Sequence, residues 1–279
     1  MSDKILVLGA TGNVGRPTVR ALISKGVTVK AASRIGDSVD GAEGVKFEYG
    51  DPNTFGPALD GVDRVFVLLP AGSVDPLSLA LPFIEAAIAR KVKVVFHSVF
   101  GVEADETNPY RVIETTLEQS GNSFVILRPN WFADNFHASW KDAIKFGQIA
   151  VPADDGKSSF IDARDIALAA ATVLTSSVFD GQSFNLTGPE ALSYSDAAAI
   201  LSDVLGRTIT YTPVDDATFI DLLINAGVSE DYAEFLATIY YPVREGWTEV
   251  VTSDVERITG RPPHSFRSYA QDHRAEFAA

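Results

Sequence analysis

The 279 residues carry 46% apolar and 22% charged side chains, a balance that fits one large globular domain or one domain with a smaller lobe. A formal net charge of −14, with no run of Lys or Arg, argues against nucleic acid and anionic membranes as partners. The chain has no cysteine, which excludes disulfides, thiolate catalysis, iron–sulfur clusters and Cys-based zinc sites.

The opening MSDKILVLGA has an early acidic residue and only a short apolar run, unlike a secretory signal. The longest uncharged apolar stretch, Ile166 to Phe179, is too short to span a bilayer. A cytoplasmic protein is expected.

KILVL (Lys4 to Leu8) reads as a buried strand, and VLGATGNVG follows it directly. Gly9, Gly12 and Gly15, with Thr11, Asn13 and Val14 between them, form a loop that opens a helix. Small residues there let the backbone turn sharply and approach a pyrophosphate at the positive helix N-terminus. A tight strand-to-helix turn is the bland alternative, but the strand–loop–helix context favours a dinucleotide.

TVKAAS (Thr28 to Ser33) is the next strand, and it ends at neutral Ser33 and cationic Arg34. An NAD-preferring site usually carries an acid at this point, whereas an arginine can fork onto a 2′-phosphate. NADPH is therefore expected over NADH, unless Arg34 is only a solvated surface residue. After the strand Val45 to Tyr49, Asp51 stands where a carboxylate meets the adenine side or where an Asp-Pro turn forms.

The strands Arg64 to Leu69, Val92 to Ser98 and Ser123 to Arg128 alternate with helical patterns such as Pro76 to Lys91, in which Leu77, Leu81, Ile84 and Ile88 share a face. Near-continuous apolar strands alternating with helices predict a doubly wound parallel α/β sheet of the Rossmann type. Ligands of such sheets bind at the carboxyl ends of the strands. Those ends carry Leu69, Pro70 and Ala71, then Ser98, Val99 and Phe100, then Pro129, Asn130 and Trp131. Ser98 is a candidate for a hydrogen bond to the nicotinamide amide or a substrate oxygen, or else a cap.

Beyond Pro129 the rhythm breaks. NWFADNFHASWKDAIKFG predicts a helix with Phe132, Phe136 and Trp140 spaced four apart. Such a stripe is more often core than pocket, yet it could also give an aromatic acceptor a flat wall. FIDARDIALAAATVL predicts another helix with Asp162 as its N-cap, QSFNLTG a further strand, and TITYTPV a short extended piece. Asp162 and Asp165 read as helix-start residues. Tyr240 and Tyr241 are weaker pocket candidates. His97, His137, His264 and His273 lack metal-ligand spacing, so no metal is expected. The expected organisation is a nucleotide-binding domain of residues 1–129, completed by about 160–188, with 130–159 and 189–279 forming a smaller, mostly helical lobe.

Taken together, GATGNVG, SGNSFVILRPNWFADNF, FIDARDIA, NLTGPEALSYSDAAAILSDVLGR and DVERITGRPPHSF make the chain resemble, over nearly its whole length, the NmrA-like group of atypical short-chain dehydrogenase/reductases. The resemblance implies either an NADPH-dependent quinone or dye reductase or an NADP-binding regulator with little catalysis. In the wider superfamily a tyrosine donates a proton and a lysine four residues on assists it. Here NPYRVIE places Tyr110 near the lysine position and Glu106 at the tyrosine position, so the dyad is replaced. Reducing a simple ketone needs a matched acid, whereas a quinone or cationic dye accepts hydride readily once positioned. The expected function is hydride transfer from NADPH to a quinone-like or conjugated small molecule, with no flavin and with Tyr110 near the nicotinamide, a candidate to bond a ribose hydroxyl or the acceptor oxygen, or else a packed helix residue. A non-catalytic NADP(H) sensor with a protein partner is the alternative, and a carbonyl or imine reductase with an unusual proton donor is a third reading. A homo-oligomer is left open.

Overall fold

The computed structural model describes residues 4–70 and 72–278, so the expectation placed on Ala71 lies outside the described residues. The chain divides into two compact units. The first comprises the described residues through Pro129 together with Ala163–Leu186 and Asp254–Arg261.

Its centre is a seven-stranded parallel sheet. β1 is Lys4–Val7, β2 Thr28–Ser33, β3 Glu43–Lys46, β4 Arg64–Val67, β5 Lys93–His97 and β6 Phe124–Pro129. With the edge strand Gln182–Leu186 last, the order is β3, β2, β1, β4, β5, β6, edge. Strand order reverses between β1 and β4, which is the topological switch point of a doubly wound sheet. The central strands are fully buried runs such as Val65, Phe66 and Val67, as helices on both faces require. β3 begins two residues earlier than its apolar run suggests. A side chain at Gly44 would lie 2.2 Å from the Gly36 carbonyl oxygen, so the strand starts where that glycine lets the preceding loop cross it.

The helix Pro76–Ala89 is capped by Asp75, whose carboxylate accepts from the Ser78 N–H. Its buried stripe is Ala80, Phe83, Ile84 and Ala87, with Leu77, Leu81 and Ile88 at the margin of the core. The expected face is thus rotated toward Phe83, which packs edge-on against Phe47 and Phe55. The segment 254–261, expected in the smaller lobe, belongs to this unit. Asp254 accepts from the Asn185 N–H at 2.9 Å, and the Arg257 guanidinium lies 5.1 Å over the Phe184 ring.

The second unit comprises Asn130–Asp162, Thr187–Ser253 and the described residues from Pro262 onward. It is mostly helical, with Tyr194–Leu205 entered through a Ser193/Asp196 capping box. Thr210–Tyr211 forms a short strand parallel to Gln148–Ile149. The single helix expected over residues 130–147 is instead two short ones, Asn135–Ala138 and Lys141–Lys145. The reason is that Ala133 donates its N–H to the Ile161 carbonyl and Phe132 bridges Ile161, which draws the start of the segment into extended pairing. Phe136 is fully buried and contacts Phe160, Tyr194 and Phe266. It lies in the core of this unit, the more common of the two places expected for such a stripe. No helix of the described residues is long and apolar enough to cross a membrane.

Candidate functional site

The glycine loop begins where β1 ends. Leu8 donates to Phe66 of β4 and Ala10 to Ala32 of β2, both at 3.1 Å, so the chain leaves the sheet at the switch point itself. Gly9 has φ +57°, a conformation costly for residues with a side chain, and the Gly12 N–H closes the turn onto the Gly9 carbonyl at 2.9 Å. The helix α1, Gly15–Ser24, follows at once. A Cβ at Gly15 would stand 2.1 Å from the Gly9 oxygen, so only glycine lets the first turn of α1 lie on the loop. Thr11, Gly12 and Asn13 are exposed while Val14 is buried. The loop thus offers backbone to solvent at a helix N-terminus and anchors itself by Val14.

At the end of β2, Ser33 turns inward and its Oγ accepts from the Gly36 N–H at 2.9 Å. Arg34 is exposed and has no side-chain partner among the described residues. Asp51 accepts from the N–H and Nδ2 of Asn53, so it caps the turn Pro52–Thr54; its structure is that of the Asp-Pro turn. Leu69 is partly buried against the sheet core and Pro70 is exposed.

The ends of β5 and β6 hold an arrangement that sequence reasoning missed. The helix Pro109–Gln119 is capped by Asn108, which accepts from the Tyr110 N–H at 3.0 Å. Tyr110 is partly buried and stacks on Phe96, ring centroids 6.2 Å apart. Four residues on, Glu114 points inward and is fully buried. Ser98 donates to its Oε1 at 2.6 Å, Arg128 forks onto both oxygens at 2.8 and 2.7 Å, and Arg111 adds a contact at 3.2 Å. Arg128 also pairs with Glu103, which accepts from Asn185 of the edge strand. Burial opposes the charge on Arg128, but its bonds to Glu114 outweigh this and its pKa is raised.

The candidate Ser98 is buried, and its hydroxyl donates to Glu114 within this network. Val99 is 40% exposed and Phe100 partly so; the Phe100 N–H bonds the Pro129 carbonyl at 3.1 Å. Glu106, at the superfamily's tyrosine position, is a surface carboxylate paired with Arg111. The missed network had a signal in the sequence. Glu114 shares a helical face with Tyr110, Ile113 and Leu117, and Arg128 closes an apolar strand; two opposite charges in apolar settings ask to be paired.

In the second unit Asn130 is buried. Its Nδ2 donates to Ser159 Oγ and the Thr248 carbonyl, and its Oδ1 accepts from the Trp131 N–H. Both polar atoms of the candidate Asn130 are thus engaged within this unit. Trp131 and Phe132 stay partly exposed, and Trp131 packs on Tyr240 at 4.8 Å between centroids. Tyr240 is buried and Tyr241 about half exposed. His97 is held down to about 4 by burial, and His137 stacks on His273. No group of three metal-ligating side chains occurs among the described residues.

Sheet order, switch point and glycine loop define a Rossmann-type α/β protein. The chain belongs to the NmrA-like family, whose model matches residues 1–246. It is 33% identical over 278 residues to the prestalk A differentiation protein A of Dictyostelium discoideum, covering 96% of this chain and 91% of that one. It is 31% identical over 286 residues to an NAD(P)H azoreductase of Xenophilus azovorans, covering 99% of each. Its fold matches that of an NADPH-dependent quinone oxidoreductase of Escherichia coli, solved with NADPH, at a TM-score of 0.84 and 22% identity over 96% of this chain and 99% of that one. The chain thus stands among the oxidoreductases of the NmrA-like family.

Proposed function

We propose that this protein binds NADPH in preference to NADH and passes hydride to a quinone-like or otherwise conjugated small molecule. The observation that carries the reading is the glycine loop: its exposed backbone turns at the switch point and opens α1 only because Gly15 lies on the Gly9 carbonyl. A pyrophosphate is stabilised there by oriented N–H groups and the helix dipole. In this reading Gly9 to Gly15 hold the pyrophosphate, and Ser33 and Arg34 frame the adenosine ribose with Arg34 on its 2′-phosphate. Asp51 borders the adenine only through its turn. Leu69, Pro70, Val99, Phe100 and Pro129 border the nicotinamide half.

The fate of the proton supports an activated acceptor. Ser98 is bonded to Glu114, and Tyr110 stands near the superfamily's lysine position with Glu106 at its tyrosine position. The tyrosine–lysine dyad is replaced here, so an acceptor whose reduced form is stabilised without immediate protonation suits the site. We assign Tyr110 to positioning the nicotinamide, not to proton donation. The same lack of a dyad favours, as a second reading, cofactor sensing without turnover.

The test is NADPH and NADH oxidation with a simple benzoquinone, using wild type, Arg34→Ala and Tyr110→Phe. Expected is turnover that prefers NADPH, a preference lost by roughly tenfold or more in Arg34→Ala as one bidentate phosphate contact disappears. Tyr110→Phe should be only modestly slower. Turnover abolished in Tyr110→Phe with cofactor binding intact would make that tyrosine the proton donor.

A further inference from the structure

We propose that Asp40 is a selectivity-determining residue, clamping the loop that carries Arg34 onto α1 so that Arg34 is held ready for a 2′-phosphate. The inference rests on the dinucleotide reading above and assigns a role to residues that reading does not use.

The loop between β2 and β3 is fixed at three places. At its start the Gly36 N–H bonds Ser33 Oγ at 2.9 Å. In its middle the backbone of residues 36 and 37 crosses directly over Gly44, where a Cβ would meet the Gly36 oxygen at 2.2 Å and the Asp37 carbonyl carbon at 2.4 Å. Near its end Asp40 takes φ +48°, which aims its carboxylate at α1. There Arg16 forks onto it at 2.9 and 3.0 Å, and Arg20 approaches the same carboxylate at 2.8 and 3.4 Å. Asp40 is the least exposed of the three, at 19% against 51% and 60% for the arginines. One carboxylate thus ties the loop to two turns of the helix that begins at the glycine loop.

Arg34 lies within this staked segment, six residues before Asp40, exposed and without a partner among the described residues. Recognition of a phosphate by arginine depends on presenting the planar fork at a set place. A loop left loose must be ordered on binding, at a cost in backbone entropy. The clamp removes part of that cost beforehand. It acts on the 2′-phosphate and not on the rest of the cofactor, because the pyrophosphate loop is built separately from Gly9 to Gly15.

Charge alone makes the opposite prediction. Asp40 is an anion beside Arg16 and Arg20, so neutralising it should strengthen phosphate binding if those arginines were simply phosphate ligands. The sign of the effect separates the two accounts. Asp40→Asn suits the comparison because asparagine accepts the left-handed backbone readily.

The experiment is fluorescence titration of wild type and Asp40→Asn with NADPH and with NADH. The clamp predicts that the NADPH-to-NADH affinity ratio falls about fivefold, with NADH binding unchanged, which also shows that the variant is folded. A ratio that is unchanged or raised, with NADH still bound, overturns the clamp while leaving the dinucleotide reading intact. A wild-type protein that binds neither cofactor overturns both.

Discussion

Glu114→Ala is expected to destabilise the sheet unit by about 3–5 kcal/mol, the scale for removing one partner of a buried ion pair. Glu114 is fully buried and Arg128 nearly so. Without the carboxylate, the Arg128 guanidinium loses both arms of its fork and keeps only a longer contact to Glu103 at 3.3 Å. Ser98 loses its acceptor as well, a further cost of about 1–3 kcal/mol for a buried group left unpaired. Glu118→Ala is the matched control. Glu118 binds the same Arg111, but at the surface, where such a pair is worth about 0–1 kcal/mol. Urea unfolding of the two variants beside wild type checks this: Glu114→Ala should unfold at far lower denaturant, Glu118→Ala close to wild type. Equal midpoints for the two variants would mean that the network contributes little to the fold.

Gly15→Ala is expected to weaken NADPH binding at least tenfold, or by about 1.4 kcal/mol, and to lower stability by about 1–3 kcal/mol through overpacking. The added methyl group would sit 2.1 Å from the Gly9 oxygen and 2.7 Å from its carbon. These are backbone atoms, so no side-chain rotation relieves the clash. The start of α1 must lift off the loop, which displaces the N–H groups proposed to hold the pyrophosphate. Gly12→Ala is the useful contrast, because its methyl group would lie 3.4 Å from the same oxygen and needs only a small adjustment. Titration of both variants with NADPH should show a large loss for Gly15→Ala and a smaller one for Gly12→Ala. Equal, minor losses would show that close approach of helix to loop is not what builds the site.

What could be read from the sequence follows the reach of the forces involved. Continuous apolar runs mark strands buried on both faces, and that local signal places all seven strands of the sheet within a few residues. The glycine loop is also local, because a sharp turn into a helix depends on small residues in consecutive positions. The stripe Phe132, Phe136 and Trp140 misled because a period of four says nothing about pairing with Ile161, about thirty positions away, which breaks the helix. Asn130 and Ser98 looked like site residues because they follow strands, yet their partners Thr248 and Glu114 are set by tertiary packing. The Asp40 clamp is hidden for the same reason: a surface aspartate 20 and 24 residues from two arginines has no local signature.

Hydride transfer from NADPH to a conjugated acceptor is tested most directly by quinone reduction with NADPH carrying deuterium at the transferable C4 position. NADPH and quinone should disappear in equal amounts, and deuterium should slow the reaction with a primary isotope effect. If NADPH binds tightly but is not consumed by any quinone or dye tried, the reductase reading is contradicted and the protein is a cofactor sensor.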